Sequence, residues 1–311
     1  MNSPEPIHAG AHRAMPLRDV ALVLLVVTIW GANFVVIKLG LGDMPPLLFT
    51  SLRFLFAAIP LVFLRRRPAI AWRWLAAWGL SQFALQFALL FVGIKLGMPA
   101  GLASLVIQLQ AFFTMGLAWG LLRERVRALQ WFGALVALLG MAVVALHLDQ
   151  PATLYGLLMV LGAALSWAIA NIVVKRIGAV DPLGLAAWAS LIAFVPLAAL
   201  SLLVEGPASV AAALRTMGGW AWAAVLFQSY PNTLFGFGVW SMLMRRHAAA
   251  ELAPYTLLVP AVGMVCAALV LGEALQPWKI GAGLLVLAGL ALNQWAARRG
   301  RAQPVQPCSS A

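Results

Sequence analysis

Ten stretches of this chain are each long and apolar enough to cross a lipid bilayer, and that pattern leaves few folds open. A helix needs about 20 apolar residues to span the hydrocarbon. Such runs lie near 18–39, 46–64, 73–95, 99–122, 128–146, 154–175, 182–204, 218–244, 249–271 and 278–297. The breaks between them carry charges or turn residues, among them GDMPP at 42–46, RRRP at 65–68, RERVR at 123–127 and GEALQP at 272–277. The longest loop, 205–217, has room for a short interfacial helix. Composition agrees. Only 10% of the 311 residues are charged, where a soluble domain carries about 25%. Lipid is therefore the expected solvent for most of the surface. The tails 1–16 and 300–311 are rich in Pro, Ser, Gln and Ala and are expected to be disordered.

The net charge of +12 would suggest nucleic acid if it formed a patch, but its distribution points to topology. One side of the ten-span layout receives 16 of the 21 Lys and Arg residues: Arg13, Arg18, Arg65, Arg66, Arg67, Arg73, Arg123, Arg125, Arg127, Lys175, Arg176, Arg245, Arg246, Arg298, Arg299 and Arg301. The other side receives Lys38, Lys95, Arg215 and Lys279, and Arg53 falls inside a span. The positive-inside rule then places both termini in the cytoplasm. Membrane lipids are the expected partners of the basic edge, and nucleic acid is not implied. Cys266 lies in an apolar run and Cys308 in the tail, which gives no disulfide framework.

The chain also repeats itself. WGANFVVIK (30–38) matches WAIANIVVK (167–175). Pro46 and Pro60 share their spacing with Pro182 and Pro196. LLRERVRALQWFGA (121–134) matches LVLGEALQPWKIGA (269–282). The first two matches are offset by 136–137 residues and the third by about 149, the difference falling in the 205–217 loop. Spans 1–5 therefore recur as spans 6–10. Five is odd, so the second copy enters the bilayer from the opposite side, the layout of many secondary transporters. The expected fold class is an all-α integral membrane protein of ten transmembrane helices in two inverted five-helix repeats. The expected units are a tail over 1–17, repeats over 18–147 and 148–299, and a tail over 300–311.

With WGANFVVIK in the first span, PPLLFTSLRFLFAAIP in the second, LLRERVRALQWFGALVALLG over the fourth and fifth, and LVPAVGMVCAALVLGEALQPWKIGAGLLVLAG over the ninth and tenth, the chain resembles the drug/metabolite transporter superfamily. Within it, the resemblance is to the ten-helix exporters built from two EamA-type repeats, over roughly residues 18–298. It is also similar to bacterial exporters of aromatic and other neutral amino acids. The resemblance implies a multi-pass protein of the bacterial inner membrane that carries small molecules such as amino acids, without cofactor or metal. It departs from the pattern in the sixth span, whose Asn sits one position later than in the first, and in the ninth-to-tenth junction, which is one residue shorter.

Polar side chains in lipid are costly and are expected to face a cavity or another helix. The candidate substrate-binding residues are Trp30 and Asn33 in the first span, Gln82 and Gln86 in the third, Gln108 in the fourth, Trp167 and Asn171 in the sixth, Gln228, Tyr230 and Asn232 in the eighth, and Tyr255 in the ninth. Each could instead bridge helices, as amides commonly do in bundles. Their recurrence with aromatic neighbours on six spans points to a central amphipathic cavity. Amides can hold an ammonium and a carboxylate, and Trp and Tyr can stack on an apolar side chain. Arg53 sits about 12 Å into the second span at 1.5 Å per residue, either binding a substrate carboxylate or holding structure. An Arg in this helix belongs to the resembled family's general pattern, which favours the structural role. Pro99 opens the fourth span, Pro231 interrupts the eighth, and Pro254 and Pro260 interrupt the ninth, where they serve as hinges or as tolerated kinks.

The expected function is export of aromatic and other neutral amino acids by alternating access. The alternatives are an exporter of other metabolites or drugs, a channel, or a membrane protein without transport. An enzyme is not expected. His8, His12, His147 and His247 lie in tails or loops, and no metal-ligand spacing or catalytic Ser/His pairing occurs within the spans. No Walker A motif is present, so no ATPase is implied. No Asp or Glu falls at mid-membrane, which leaves facilitated diffusion or coupling through junction carboxylates.

Overall fold

The computed structural model describes residues 15–147, 151–178, 180–247 and 249–301, so the expectations for the tails, His8, His12, Arg13 and Cys308 lie outside the described residues. Among these residues there is no β-strand, and eleven helical elements follow one another. They are α1 (Leu17–Asp43), α2 (Pro46–Leu64), α3 (Trp72–Lys95), α4 (Ala100–Leu122), α5 (Ala128–Leu146), α6 (Pro151–Ile177), α7 (Pro182–Glu205), α8 (Pro207–Thr216), α9 (Gly219–Arg246), α10 (in two pieces, Ala249–Thr256 and Leu258–Leu271) and α11 (Pro277–Arg301). Nine of the described helices are long and apolar enough to cross a bilayer unaided. The tenth span, α9, meets that test together with α8, from which it turns by 103°. The polar run QSYPN at 228–232 lowers the hydropathy of α9, and α8 is the short helix expected in the 205–217 loop.

Proline and short polar residues set the helix starts. Pro46 and Pro182 occupy the first turns of α2 and α7, where the missing N–H costs nothing. Asp181 caps α7, accepting from the N–H groups of Leu183 at 3.3 Å and Gly184 at 3.1 Å. At the start of α2 the preceding residue is Pro45, with no side-chain acceptor. Glu205, at the far end of α7, supplies it instead, accepting from Leu47 N at 2.6 Å and Leu48 N at 3.0 Å.

The two halves pack as inverted copies. α2 lies along α7, α4 against α10, and α5 along α11, each pair formed by matching helices of the two repeats. Several other contacts come in exchanged pairs: α1 with α10 and α6 with α4, α1 with α9 and α6 with α3, α2 with α9 and α7 with α3. The α5–α11 contact is the closest. A Cβ on Gly133 would lie 2.7 Å from the carbonyl oxygen of Gly289, and one on Gly289 would meet the carbonyl of Gly133 in turn. Small residues drive helix association where lipid offers no hydrophobic gain.

Two local irregularities repeat with the same symmetry, whereas the π-helical end of α7, Ser201–Glu205, has no counterpart in α2. α3 is wound as π-helix over Leu80–Leu85 and α9 over Gln228–Phe235. Trp72, Trp74 and Ser81 precede Trp220, Trp222 and Ser229 by the same 148 residues, so the two π segments start at matching positions. α4 breaks into 3-10 helix at Ile107–Leu109, and α10 breaks at Leu257, 149 residues after Gln108. Both helices end in the left-handed conformation, at Arg123 (φ 54°) and Gly272 (φ 67°), with the next N–H returning to Ala118 O and Ala267 O. The break in α10 lies between Pro254 and Pro260, each of which sits inside a helical piece, and Pro99 is the residue before α4 rather than a kink within it.

Contacts between loops define two faces. On the basic face Asp19 meets His247 (2.7 Å) and Arg246 (3.5 Å), Arg65 meets Asp181 (3.7 Å), and Lys175 meets Glu124 (2.8 Å). On the opposite face Lys95 donates to Leu41 O (2.6 Å), and Glu273 accepts from Ala100 N (2.8 Å) and Gly101 N (3.1 Å). Large apolar side chains such as Phe63, Leu146, Leu203 and Leu269 stay outward on the span surfaces, as lipid requires.

Candidate functional site

The π segment of α9 organises the most polar part of the interior. Pro231 lacks the N–H that an α-helix would use and would clash with the carbonyl four residues back. The wider turn accommodates it, and Thr233 donates its hydroxyl to Gln228 O, five residues back, at 2.8 Å. Gln228, Ser229, Asn232 and Thr233 are buried, whereas Tyr230 is 39% exposed on the other side of the segment. Tyr230 is thus separated from the polar group that its sequence neighbours form.

Three helices close on this segment. Ser229 donates to the backbone carbonyl of Arg53 in α2 at 2.9 Å. Arg53 Nη2 donates to Thr233 Oγ1 at 3.1 Å. From α1, Trp30 Nε1 donates to Asn232 O at 3.2 Å, and Gln228 Nε2 donates to Asn33 O at 3.4 Å. The Trp30 indole fits because position 236 is glycine: a Cβ there would fall 2.5 Å from its Nε1. α3 supplies Phe87, whose ring lies 3.8 Å from the Arg53 guanidinium.

Arg53 is completely buried, and no described carboxylate pairs with it. Its Nε and Nη1 have no hydrogen-bond partner, and neither do Asn33 Oδ1, Gln228 Oε1 and Asn232 Oδ1. A desolvated cation–π contact contributes about 2 kcal/mol, against an effective burial penalty of several kcal/mol for one ion. With the Phe87 ring, the more distant Phe54 ring (5.1 Å) and one hydroxyl as its contacts, Nε and Nη1 stay buried without a partner.

An unbroken series of aromatic contacts runs beside the polar group. Trp240 and Trp30 are 5.4 Å apart between centroids, Trp30 and Phe237 5.9 Å, Phe237 and Phe83 6.0 Å, Phe83 and Phe54 4.9 Å, and Phe54 and Phe87 5.5 Å. It links α9, α1, α3 and α2, and so joins the two halves. Sequence reasoning missed Phe54, Phe237 and Trp240. They lie among many apolar residues, and only contact across helices sets them apart.

Among the other candidate amides, Gln82, Gln86 and Asn171 form two further hydrogen-bonded groups. Gln82 Nε2 donates to Gln86 Oε1 at 2.9 Å within α3. Ser166 of α6 donates to Ser81 O at 2.8 Å. Asn171 Nδ2 donates to Gln110 Oε1 at 2.9 Å and Thr114 Oγ1 at 3.0 Å, so its partner on α4 is Gln110 and not Gln108. Gln108, Trp167 and Tyr255 are half-buried. Among the described residues no group of three His, Cys, Asp or Glu side chains could hold a metal.

Comparison with known proteins agrees with this architecture. The model of the EamA-like transporter family matches residues 18–146 and 154–294. A probable amino-acid metabolite efflux pump of Salmonella typhimurium is 41% identical over 90% of this chain and 95% of its own. A protein of the same description from Escherichia coli K12 is 38% identical over 94% of this chain and 99% of its own. A probable terminal-alkyne amino-acid exporter of Streptantibioticus cattleyicolor is 30% identical over 88% and 91%. A solved crystal structure with 20% identity superposes with a TM-score of 0.62 over 92% of this chain and 99% of the other, which shows the fold alone. A family model that covers both halves, on a ten-span inverted repeat, identifies a membrane transporter rather than an enzyme, and the chain belongs to the EamA-like transporter family.

Proposed function

We propose that this transporter exports small amino-acid metabolites, chiefly aromatic and other neutral amino acids, across the bacterial inner membrane. The observation that carries the reading is the aromatic series from Trp240 to Phe87, which lies beside buried amides where the two halves meet. Aromatic rings favour an apolar or aromatic side chain. The relatives described as amino-acid efflux pumps support the substrate class. Alternating access by rocking of one half against the other suits an inverted repeat, and the paired breaks of α4 and α10 supply compliant points. The basic face is the cytoplasmic one on this reading, by the positive-inside rule. The described carboxylates, Asp19, Asp43, Glu124, Asp181, Glu205, Glu251 and Glu273, all lie at span ends, so transport runs down the metabolite gradient or couples through these junctions.

The test is counterflow in proteoliposomes with labelled amino acids. Saturable, accelerated exchange of phenylalanine is expected. Flux without saturation would indicate a channel, and no acceleration by any amino acid would sink the reading.

A further inference from the structure

The buried polar atoms without partners sort by sign. The donors are both on Arg53, and the acceptors are the side-chain oxygens of Asn33, Gln228 and Asn232. These residues are neighbours in one chain of hydrogen bonds: Arg53 to Thr233, Thr233 to Gln228 O, and Gln228 to Asn33 O, with Asn232 held to Trp30 on the same turn. Their free atoms nonetheless do not satisfy one another. Buried polar atoms are ordinarily paired, and an unpaired set in one place calls for a ligand or a function.

The chemistry of the set is specific. A guanidinium with open N–H groups takes a carboxylate through charge-assisted hydrogen bonds. Three neutral carbonyl oxygens take an ammonium, which has three N–H donors. We propose that Arg53, Asn33, Gln228 and Asn232 form a subsite for the zwitterionic backbone of an α-amino acid. The carboxylate sits on Arg53, the ammonium on the three amide oxygens, and the side chain on the aromatic series. All four residues are at most 5% exposed, so the subsite is shut in this structure and opens when α9 moves away from α1 and α2. The π-helical turn is the element able to shift, because its backbone pairing is already irregular. This proposal rests on the reading of the chain as an amino-acid exporter, and it names what part of the substrate is recognised.

Competition against labelled phenylalanine counterflow, with the full chain in proteoliposomes, tests it. Phenethylamine lacks the carboxylate and 3-phenylpropionate lacks the ammonium. Each should compete at least about tenfold more weakly than phenylalanine, the loss of one hydrogen-bonded charge. Arg53→Gln should bring phenethylamine close to parity while 3-phenylpropionate stays weak, and Arg53→Lys should restore part of the preference. Asn232→Leu should do the converse and relieve the rejection of 3-phenylpropionate. A purely structural Arg53 would weaken all three compounds in proportion, which would overturn the subsite. If the variants do not fold, the wild-type ranking decides alone: either analogue competing as well as phenylalanine overturns the proposal. Exchange of phenylalanine without discrimination defeats the subsite and leaves the export reading standing. No exchange of any amino acid defeats both.

Discussion

In α3 the π-helical segment packs against α7, where Ala189 lies against Gly79. In α9 the matching segment packs against α2, and the residue at the position of Ala189 is Arg53, 136 residues earlier. The backbone device is the same in both halves, but its polar content is not. On the α3 side Gln82 bonds to Gln86, whereas the open atoms gather around the α9 segment: the amide oxygens of Gln228 and Asn232 within it, that of Asn33 on α1, and the Arg53 guanidinium on α2. Inverted repeats make two similar scaffolds, and under the proposed subsite side-chain divergence lets one of them carry recognition.

That contrast can be broken from either side. The largest effect is expected from Ala189→Arg. Ala189 is fully buried, and its carbonyl oxygen would lie 3.0 Å from a Cβ on Gly79, so an arginine there is both crowded and unpaired. It should destabilise the protein by about 3–5 kcal/mol, the cost of an uncompensated buried charge, read as a fall in melting temperature in detergent. An unchanged melting temperature would mean that the surroundings of Arg53 are not special. Asn171→Ala comes next. It strips the donor from Gln110 and Thr114 and should cost about 1–2 kcal/mol of stability, with the half-saturation of counterflow unchanged. A rise in half-saturation without loss of stability would move recognition to the α4–α6 side. The smallest effect is expected from Gln82→Leu combined with Gln86→Leu. Removing both members of a satisfied pair should shift stability by less than about 1 kcal/mol and leave transport intact.

Much of the scaffold was legible in the sequence. Span length, charge side and three repeat matches carried the ten-helix inverted layout, because each is set by the bilayer itself. The π segment of α9 left a trace in Pro231, but that of α3 left none: LSQFAL has no proline, and amides four apart suit an α-helix equally well. The repeat of Trp72, Trp74 and Ser81 as Trp220, Trp222 and Ser229 was present in the sequence and went unread, hidden by the 205–217 insertion that changes the offset. The candidate amides were legible as a class but not by role. Asn33 and Asn171 sit in near-identical repeats but one position out of register, about 100° around the helix, and Asn171 meets Gln110 while Asn33 Oδ1 meets nothing.

The glycine contact between α5 and α11 has a further consequence. Gly133 meets the carbonyl of Gly289 and Gly140 meets that of Ala282, and the two contacts exchange under the repeat offset of 149 residues, the self-complementary pattern of a two-fold dimer interface. Here both partners belong to one polypeptide, so the subunit stoichiometry of an antiparallel homodimer is fixed covalently and each face is free to change by itself. A homodimer could not place a buried arginine beside one π-helix and an alanine beside the other. The fused chain has done so, and that asymmetry is what a single off-axis substrate subsite requires.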